Sequence, residues 1–229
     1  MENQQQSGSY FVDLVMCIDA TASMSPIINE VKANALSFYP RFVDAMEESG
    51  RNVSQLRIKV IAFRDYGCDS NPMEQSRFFT LPEENEEFKS FVESIEATGG
   101  GDIPENALEA IALALKSEFT TGGSKRRHVI QVFTDAPALK LGERAAECPN
   151  YPENMPADIA ELSAWWEGEA QIDSTFQPKS GRLIAFAPDA EPWTDLQTWN
   201  RYWMACSRAS TGLDDVDIET AIQLLVKSC

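Results

Sequence analysis

Histidine is nearly missing from this 229-residue chain, and the single one, His128, stands where a predicted strand begins. Ligands of α/β sheets gather at the other, carboxyl ends of strands, so a His-based catalytic triad is disfavoured. Basic residues are scarce as well. Nineteen Lys and Arg against 36 Asp and Glu leave a net charge of −17, which disfavours nucleic-acid phosphate and anionic membrane because both require clustered cations. The one basic cluster, Lys125-Arg126-Arg127, reads as a solvated turn entering a strand. No run approaches the roughly 18 apolar residues of a membrane span. The first nine residues are polar and Gln-rich, without a basic start or apolar segment, and do not read as a secretory signal. Cys17, Cys68, Cys148, Cys206 and Cys229 are odd in number, widely spaced and lack a Cys-x-x-Cys pair. That usage implies reduced thiols and a cytoplasmic location. No linker, charge block or repeat divides the chain, so a disordered polar tail over 1–9 and one domain over 10–229 are expected.

What is present is a strand that ends in oxygen donors. Tyr10 to Ile18 is an apolar run of the kind buried in a parallel sheet, and Asp19, Thr21 and Ser23 follow it on alternate residues. One carboxylate and two hydroxyls suit Mg²⁺, which takes oxygen ligands at about 2.0–2.1 Å and is usually held by one or two carboxylates. The plainer alternative is a helix cap, with Ser23 or Ser25 before Pro26 starting the next helix.

Two other segments carry matching chemistry. Thr98-Gly-Gly-Gly-Asp102-Ile-Pro104-Glu105 precedes a helical pattern of Leu108, Ile111, Ala112, Leu115 and Phe119, placing Asp102 and Glu105 in or just before its first turn. Capping of the positive helix end by these acids is the ordinary explanation. His128 to Phe133 is a second buried strand, finishing in Thr134-Asp135, for which a strand-terminal turn is the default. If Asp19, Glu105 and Asp135 met at one rim they would repel, since two like charges about 4 Å apart cost roughly 4 kcal/mol at an effective dielectric near 20. A bound cation removes that objection.

The order of these parts resembles the von Willebrand factor type A family: strand, Asp-x-Thr-x-Ser, long helix, Thr-Gly-Gly-Gly-Asp-x-Pro-Glu, helix, strand-Thr-Asp. The likeness implies a metal-ion-dependent adhesion site whose Mg²⁺ or Mn²⁺ offers one position to an acidic residue of a protein partner. By that resemblance Thr21 and Ser23 are direct ligands, and Asp19 and Asp135 act through water or directly. Thr21 replaces the commoner Ser and keeps the oxygen. Many relatives supply a Thr from the second loop, whereas this loop looks like the Asp-Ser-Pro-Glu loop of integrin β-subunit I-like domains. Glu105 is therefore ranked first there, Asp102 second and Thr98 third. Phe63-Arg64-Asp65-Tyr66 and Thr134-Asp135-Ala-Pro137 also resemble intracellular, stand-alone members. The resemblance covers residues 10 to about 137; beyond that it is one of element order.

The implied fold is α/β: a doubly wound, mostly parallel sheet of about six strands with one short antiparallel edge strand and helices on both faces. Helices are predicted over 26–49, with Pro40 kinking it, and over 83–95, 157–166, 193–206 and 217–227; strands over 56–63, 77–81 and 182–187, with a weak one near 207–210. Trp193, Leu196, Trp199 and Trp203 stand at near-helical spacing. Trp165 and Trp166 are adjacent and cannot both face inward from one helix, so one is expected at the surface. The long loop after Asp135 leaves the same rim and is expected to shape a partner surface. Asp65, Asp69, Asp189 and Glu191 read as charged surface loops at that rim. An Mg²⁺-dependent phosphoester hydrolase is the alternative reading, since Mg²⁺ with a carboxylate activates water. Aspartyl-nucleophile phosphatases, however, need a second acid where Thr21 stands. A scaffold with a vestigial metal site is the third reading, and it predicts partner capture indifferent to chelator.

Overall fold

A computed structural model describes residues 9–101, 104–207 and 218–228. The sheet runs β3 (Met73–Gln75), β2 (Val53–Phe63), β1 (Tyr10–Asp19), β5 (Lys125–Phe133), β6 (Gly181–Pro188), β7 (Tyr202–Ser207), with β4 (Phe79–Leu81) also paired to β2. Strand β1 lies at its centre, parallel to β2 on one side and β5 on the other. Strands β6 and β7 continue in parallel, while the short β3 and β4 run antiparallel to β2. Because the chain winds outward from β1 in both directions, the crevice at the carboxyl ends of β1 and β5 is the topological switch point where such sheets bind ligands.

Strand periodicity sends alternate side chains to opposite faces. Val12, Leu14, Met16 and Ile18 of β1 enter a core with Phe38, Phe42 and Met46 of helix α1 (Ile28–Glu48), Phe88 of α2 (Asn85–Ser94) and Ile222 of α5 (Ile218–Ser228). Val15 and Cys17 enter the opposite core with Ile111 and Leu115 of α3 (Ala107–Leu115) and Leu162 of α4 (Ile159–Glu167). The doubly wound, mostly parallel sheet with helices on both faces is therefore as expected. Its antiparallel edge comes in two pieces, β3 and β4, bringing the strands among the described residues to seven.

Several expectations fail for identifiable reasons. Residues 193–206 are not a helix: a 3₁₀ turn over Asp195–Thr198 leads through Arg201, at φ 61°, into β7. Tyr202 and Met204 pack on one core, Trp203 and Ala205 on the other, which is period-2 burial inside an apolar run that also satisfies helical spacing. Of the proposed weak strand, residue 207 ends β7 and 208–210 lie outside the described residues. Trp165 and Trp166 are both buried. Helix α4 is covered on two sides: Trp166 stacks on Phe176 and Trp199 with its indole N–H on the Asn200 carbonyl, while Trp165 is buried in the core that Leu162 shares and Ile172 packs against. Lys125-Arg126-Arg127 opens β5 itself rather than a turn, and α1 includes Pro40 within its length.

At the far end of β5, His128 is buried between a Phe119 ring stacked at 4.5 Å and two backbone groups, its Nε2 3.1 Å from Thr120 O and its Nδ1 accepting from Gln177 N. Burial pushes its pKa from 6.5 down to about 4. Above pH 6.5 the ring is neutral folded or unfolded; as pH falls toward 4 the unfolded chain binds the proton first, so stability is lost across that window. Full loss amounts to about 3 kcal/mol. Urea midpoints of wild type should therefore fall more steeply from pH 6.5 to 4 than those of His128→Gln; parallel profiles would contradict the assignment.

Candidate metal centre

The loop leaving β1 turns its side chains back on the strand end. Asp19, fully buried, accepts at Oδ1 from Thr21 N (3.0 Å) and Thr21 Oγ1 (2.7 Å), and at Oδ2 from Thr134 Oγ1 (2.7 Å). Thr21 Oγ1 lies 3.0 Å from Ser23 Oγ, and Ser23 Oγ donates to Asp135 Oδ1 at 3.0 Å. One continuous chain of oxygens thus joins the ends of β1 and β5. Each hydroxyl owns a single proton. With Thr21 donating to Asp19 and Ser23 to Asp135, the 3.0 Å contact between the two hydroxyls brings lone pairs together, the arrangement a hard cation accepts.

Electrostatics point the same way. Burial, helped by the nearby Asp135 charge, raises the Asp19 pKa to about 6 in spite of its hydrogen bonds from Thr21 and Thr134. The capping alternative is not realised, because α1 begins after Ile27 without any side-chain cap.

The glycine loop closes over this chain. Ala22 N donates to Gly99 O and Thr98 N to Ala20 O. Gly100 has φ +70°, and a Cβ there would stand 3.0 Å from Thr21 Cβ and 3.2 Å from Glu105 Oε1, so glycine permits both the turn and the approach. Thr21, Ser23, Gly99, Gly100 and the buried Glu105 line a pocket of about 150 Å³. Glu105 is two residues short of α3. Glu105 bridges to Ala138 in the loop after β5, its N–H donating to Pro137 O and its carbonyl accepting from Leu139 N.

Asp19, Thr21, Ser23 and Asp135 are thus hydrogen-bonded together with Glu105 across the pocket, while Thr98 is exposed and faces another cleft beside Arg64 and Asp69. Asp102 lies outside the described residues. Among the described residues no three of His, Cys, Asp and Glu form a metal-holding group. The donor set is accordingly two hydroxyls with carboxylates around them. Such hard oxygens fit Mg²⁺ or Mn²⁺.

Three residues already named in the sequence have supporting contacts that only the structure brings out. Thr134 fixes Asp19. Asp69 accepts from Gly100 N and Asp65 N, tethering the glycine loop. Buried Arg64 donates to the carbonyls of Ala20, Thr98, Asn71 and Glu96. Asp65 is not a surface charge: it is fully buried, accepts from Gly67 N, and lies 3.7 Å from Arg144 Nε. Asp189 and Glu191 are exposed, as expected.

Comparison with known proteins reaches the family from the sequence. Among curated proteins no significant match is found. Solved structures of similar fold include a von Willebrand factor type A protein from Catenulispora acidiphila (15% identity, TM-score 0.54, covering 96% of this chain and 43% of that one). The pilus adhesin SpaC from Lactobacillus rhamnosus GG, in an open conformation, is similar at 12% identity and TM-score 0.52, over 98% of this chain and 30% of that one. Proximal thread matrix protein 1 of the mussel byssus follows at 13% and 0.50, covering 96% and 49%. The chain thus spans less than half the length of each of these structures, which share its fold. No helix among the described residues is long and apolar enough to cross a membrane. A profile of the von Willebrand factor A domain matches residues 13–144, more than half of the sequence and every segment that builds the pocket, and the chain therefore belongs to the von Willebrand factor A domain family.

Proposed function

We propose that the chain is a cytoplasmic, single-domain interaction module that binds Mg²⁺ or Mn²⁺ at this rim, as a metal-ion-dependent adhesion site, and captures an acidic residue of a protein partner. The observation that carries the reading is the run of oxygens from Asp19 through Thr21 and Ser23 to Asp135, with the two hydroxyl oxygens 3.0 Å apart. Thr21 and Ser23 would hold the ion directly. Glu105, ahead of Asp102 and Thr98, would add a ligand from the second loop, and Asp19 and Asp135 would serve through water or directly. When bound, the ion supplies a positive position that a partner carboxylate completes. The name of the SpaC adhesin, a protein of the same fold, is in keeping with an interaction role.

The test is calorimetry of Mg²⁺ and Mn²⁺ with wild type and Asp19→Ala, circular dichroism confirming that the variant folds. Loss of a supporting carboxylate is expected to weaken binding by roughly 10–100-fold. Equal affinities would remove the site. Partner capture that persists in EDTA would favour the scaffold reading, and metal-dependent turnover of a model phosphoester the hydrolase.

A further inference from the structure

Beside the metal pocket, on the other side of Glu105, lies a cleft of about 520 Å³, within the roughly 300–1,000 Å³ of clefts that hold ligands. Its lining includes the buried Leu108, Leu139 and Leu141, with Ile159 alongside. Its lip carries the exposed carboxylates Asp158, Glu191 and Asp195 against one ammonium, Lys140. An apolar floor under an acidic lip selects an apolar side chain accompanied by a cation.

The cleft and the pocket share a wall. Glu105 lines the pocket with its side chain, while the preceding Pro104 lines the cleft. Its backbone pairs with Pro137 and Leu139, and Pro137 and Leu139 line the cleft only two and four residues after Asp135. A segment lying across this wall can place one side chain in each cavity, since alternate residues of an extended chain are roughly 7 Å apart.

We propose that the cleft is the subsite that selects the partner: it receives a large apolar side chain of the segment that brings the carboxylate, with an adjacent Lys or Arg meeting Asp158, Glu191 and Asp195. The proposal rests on the metal-capture reading above. Charge argues for a foreign segment over a second copy, because a chain of net charge −17 would set like charge against this lip. Cation and carboxylates at the lip would fix register and speed encounter; the buried side chain would slow release.

The full chain in Mn²⁺ would be panned against phage-displayed random dodecapeptides, and the selected peptides synthesised for affinity measurement. The expected peptides carry Asp or Glu within about three residues of Leu, Ile, Phe or Trp, next to Lys or Arg, and are released by EDTA. Ala157→Trp, at the exposed lip, should weaken them at least tenfold with Mn²⁺ calorimetry unchanged. Glu191→Lys with Asp195→Lys should weaken them several-fold, with recovery when the peptide cation becomes Glu. Acidic peptides with no apolar requirement, or full affinity in Ala157→Trp, would overturn the subsite and leave metal capture standing. Wild type that binds no Mn²⁺ would sink the metal reading and this proposal with it. Peptides sensitive to Ala157→Trp yet indifferent to EDTA, recovery of no Mn²⁺-dependent peptide, or a dimer in ultracentrifugation that Ala157→Trp dissociates would each overturn it too.

Discussion

Arg64→Met is expected to destabilise the protein by about 4 kcal/mol, lowering the melting temperature by roughly 10 °C for a chain of this size. Arg64 is 6% exposed, and its guanidinium donates through Nε to Ala20 O (3.1 Å) and Thr98 O (3.2 Å), through Nη1 to Asn71 O (3.2 Å), and through Nη2 to Glu96 O (2.7 Å). These carbonyls belong to the loop after β1, the segment following α2 and the loop before β3. One side chain therefore ties three stretches of rim. Removing it leaves Ala20 O with its bond from Thr98 N and takes the charged donor away from the part-buried carbonyls of Thr98, Asn71 and Glu96, at about 1–3 kcal/mol each where water cannot reach them. Met keeps the length and the apolar stem, so the loss reports the hydrogen bonds. Arg64→Lys should recover only part, since an ammonium cannot reproduce the planar fork. Because Ala20 adjoins both Asp19 and Thr21, Mn²⁺ affinity should fall alongside stability. Thermal and urea unfolding with calorimetry check this; a Met variant within about 1 kcal/mol of wild type would show that water replaces the fork.

The contrast between Arg64 and Asp19 shows what the sequence exposes. Tyr10 to Ile18 and His128 to Phe133 are mostly apolar runs, broken only by Asp13 in the first and by His128 and Gln131 in the second, because both faces of each strand are buried, and that pattern survives without coordinates. Asp19, Thr21 and Ser23 are legible for the same reason, since they sit at a fixed offset from a readable strand. Arg64 also follows a strand, yet nothing in its neighbours says that four remote carbonyls will converge on it. Asp65 looks like any loop acid until Gly67 and Arg144 enclose it. Met73–Gln75 is a strand of three residues, too short for any period to show. Residues 193–206 failed differently: four successive apolar residues from Tyr202 to Ala205 satisfy both periods, and only packing against two cores decides between them.

Trp193 is the other residue whose loss should be felt throughout. Its side chain is fully buried in the core shared by α3, α4 and β6, its Nε1 donates to Ala136 O at 3.0 Å, and its own carbonyl accepts from Tyr202 Oη at 3.0 Å. Trp193→Ala leaves a large cavity and an acceptor short of its donor, for an expected loss of about 4 kcal/mol. Trp193→Phe separates the two effects: the ring keeps most of the packing, so about 1–2 kcal/mol should be lost, mainly from the hydrogen bond. That bond bears on the rim. Ala136 follows Asp135 and donates its N–H to Thr134 Oγ1, which in turn holds Asp19. Loosening the Ala136 carbonyl frees the turn that aims Asp135 at Ser23, so Trp193→Phe should weaken Mn²⁺ several-fold while remaining folded. Urea unfolding gives the first quantity and calorimetry the second. If the Phe variant loses stability but binds Mn²⁺ as wild type does, the indole props the core alone and Asp135 is held by its own turn and Ser23.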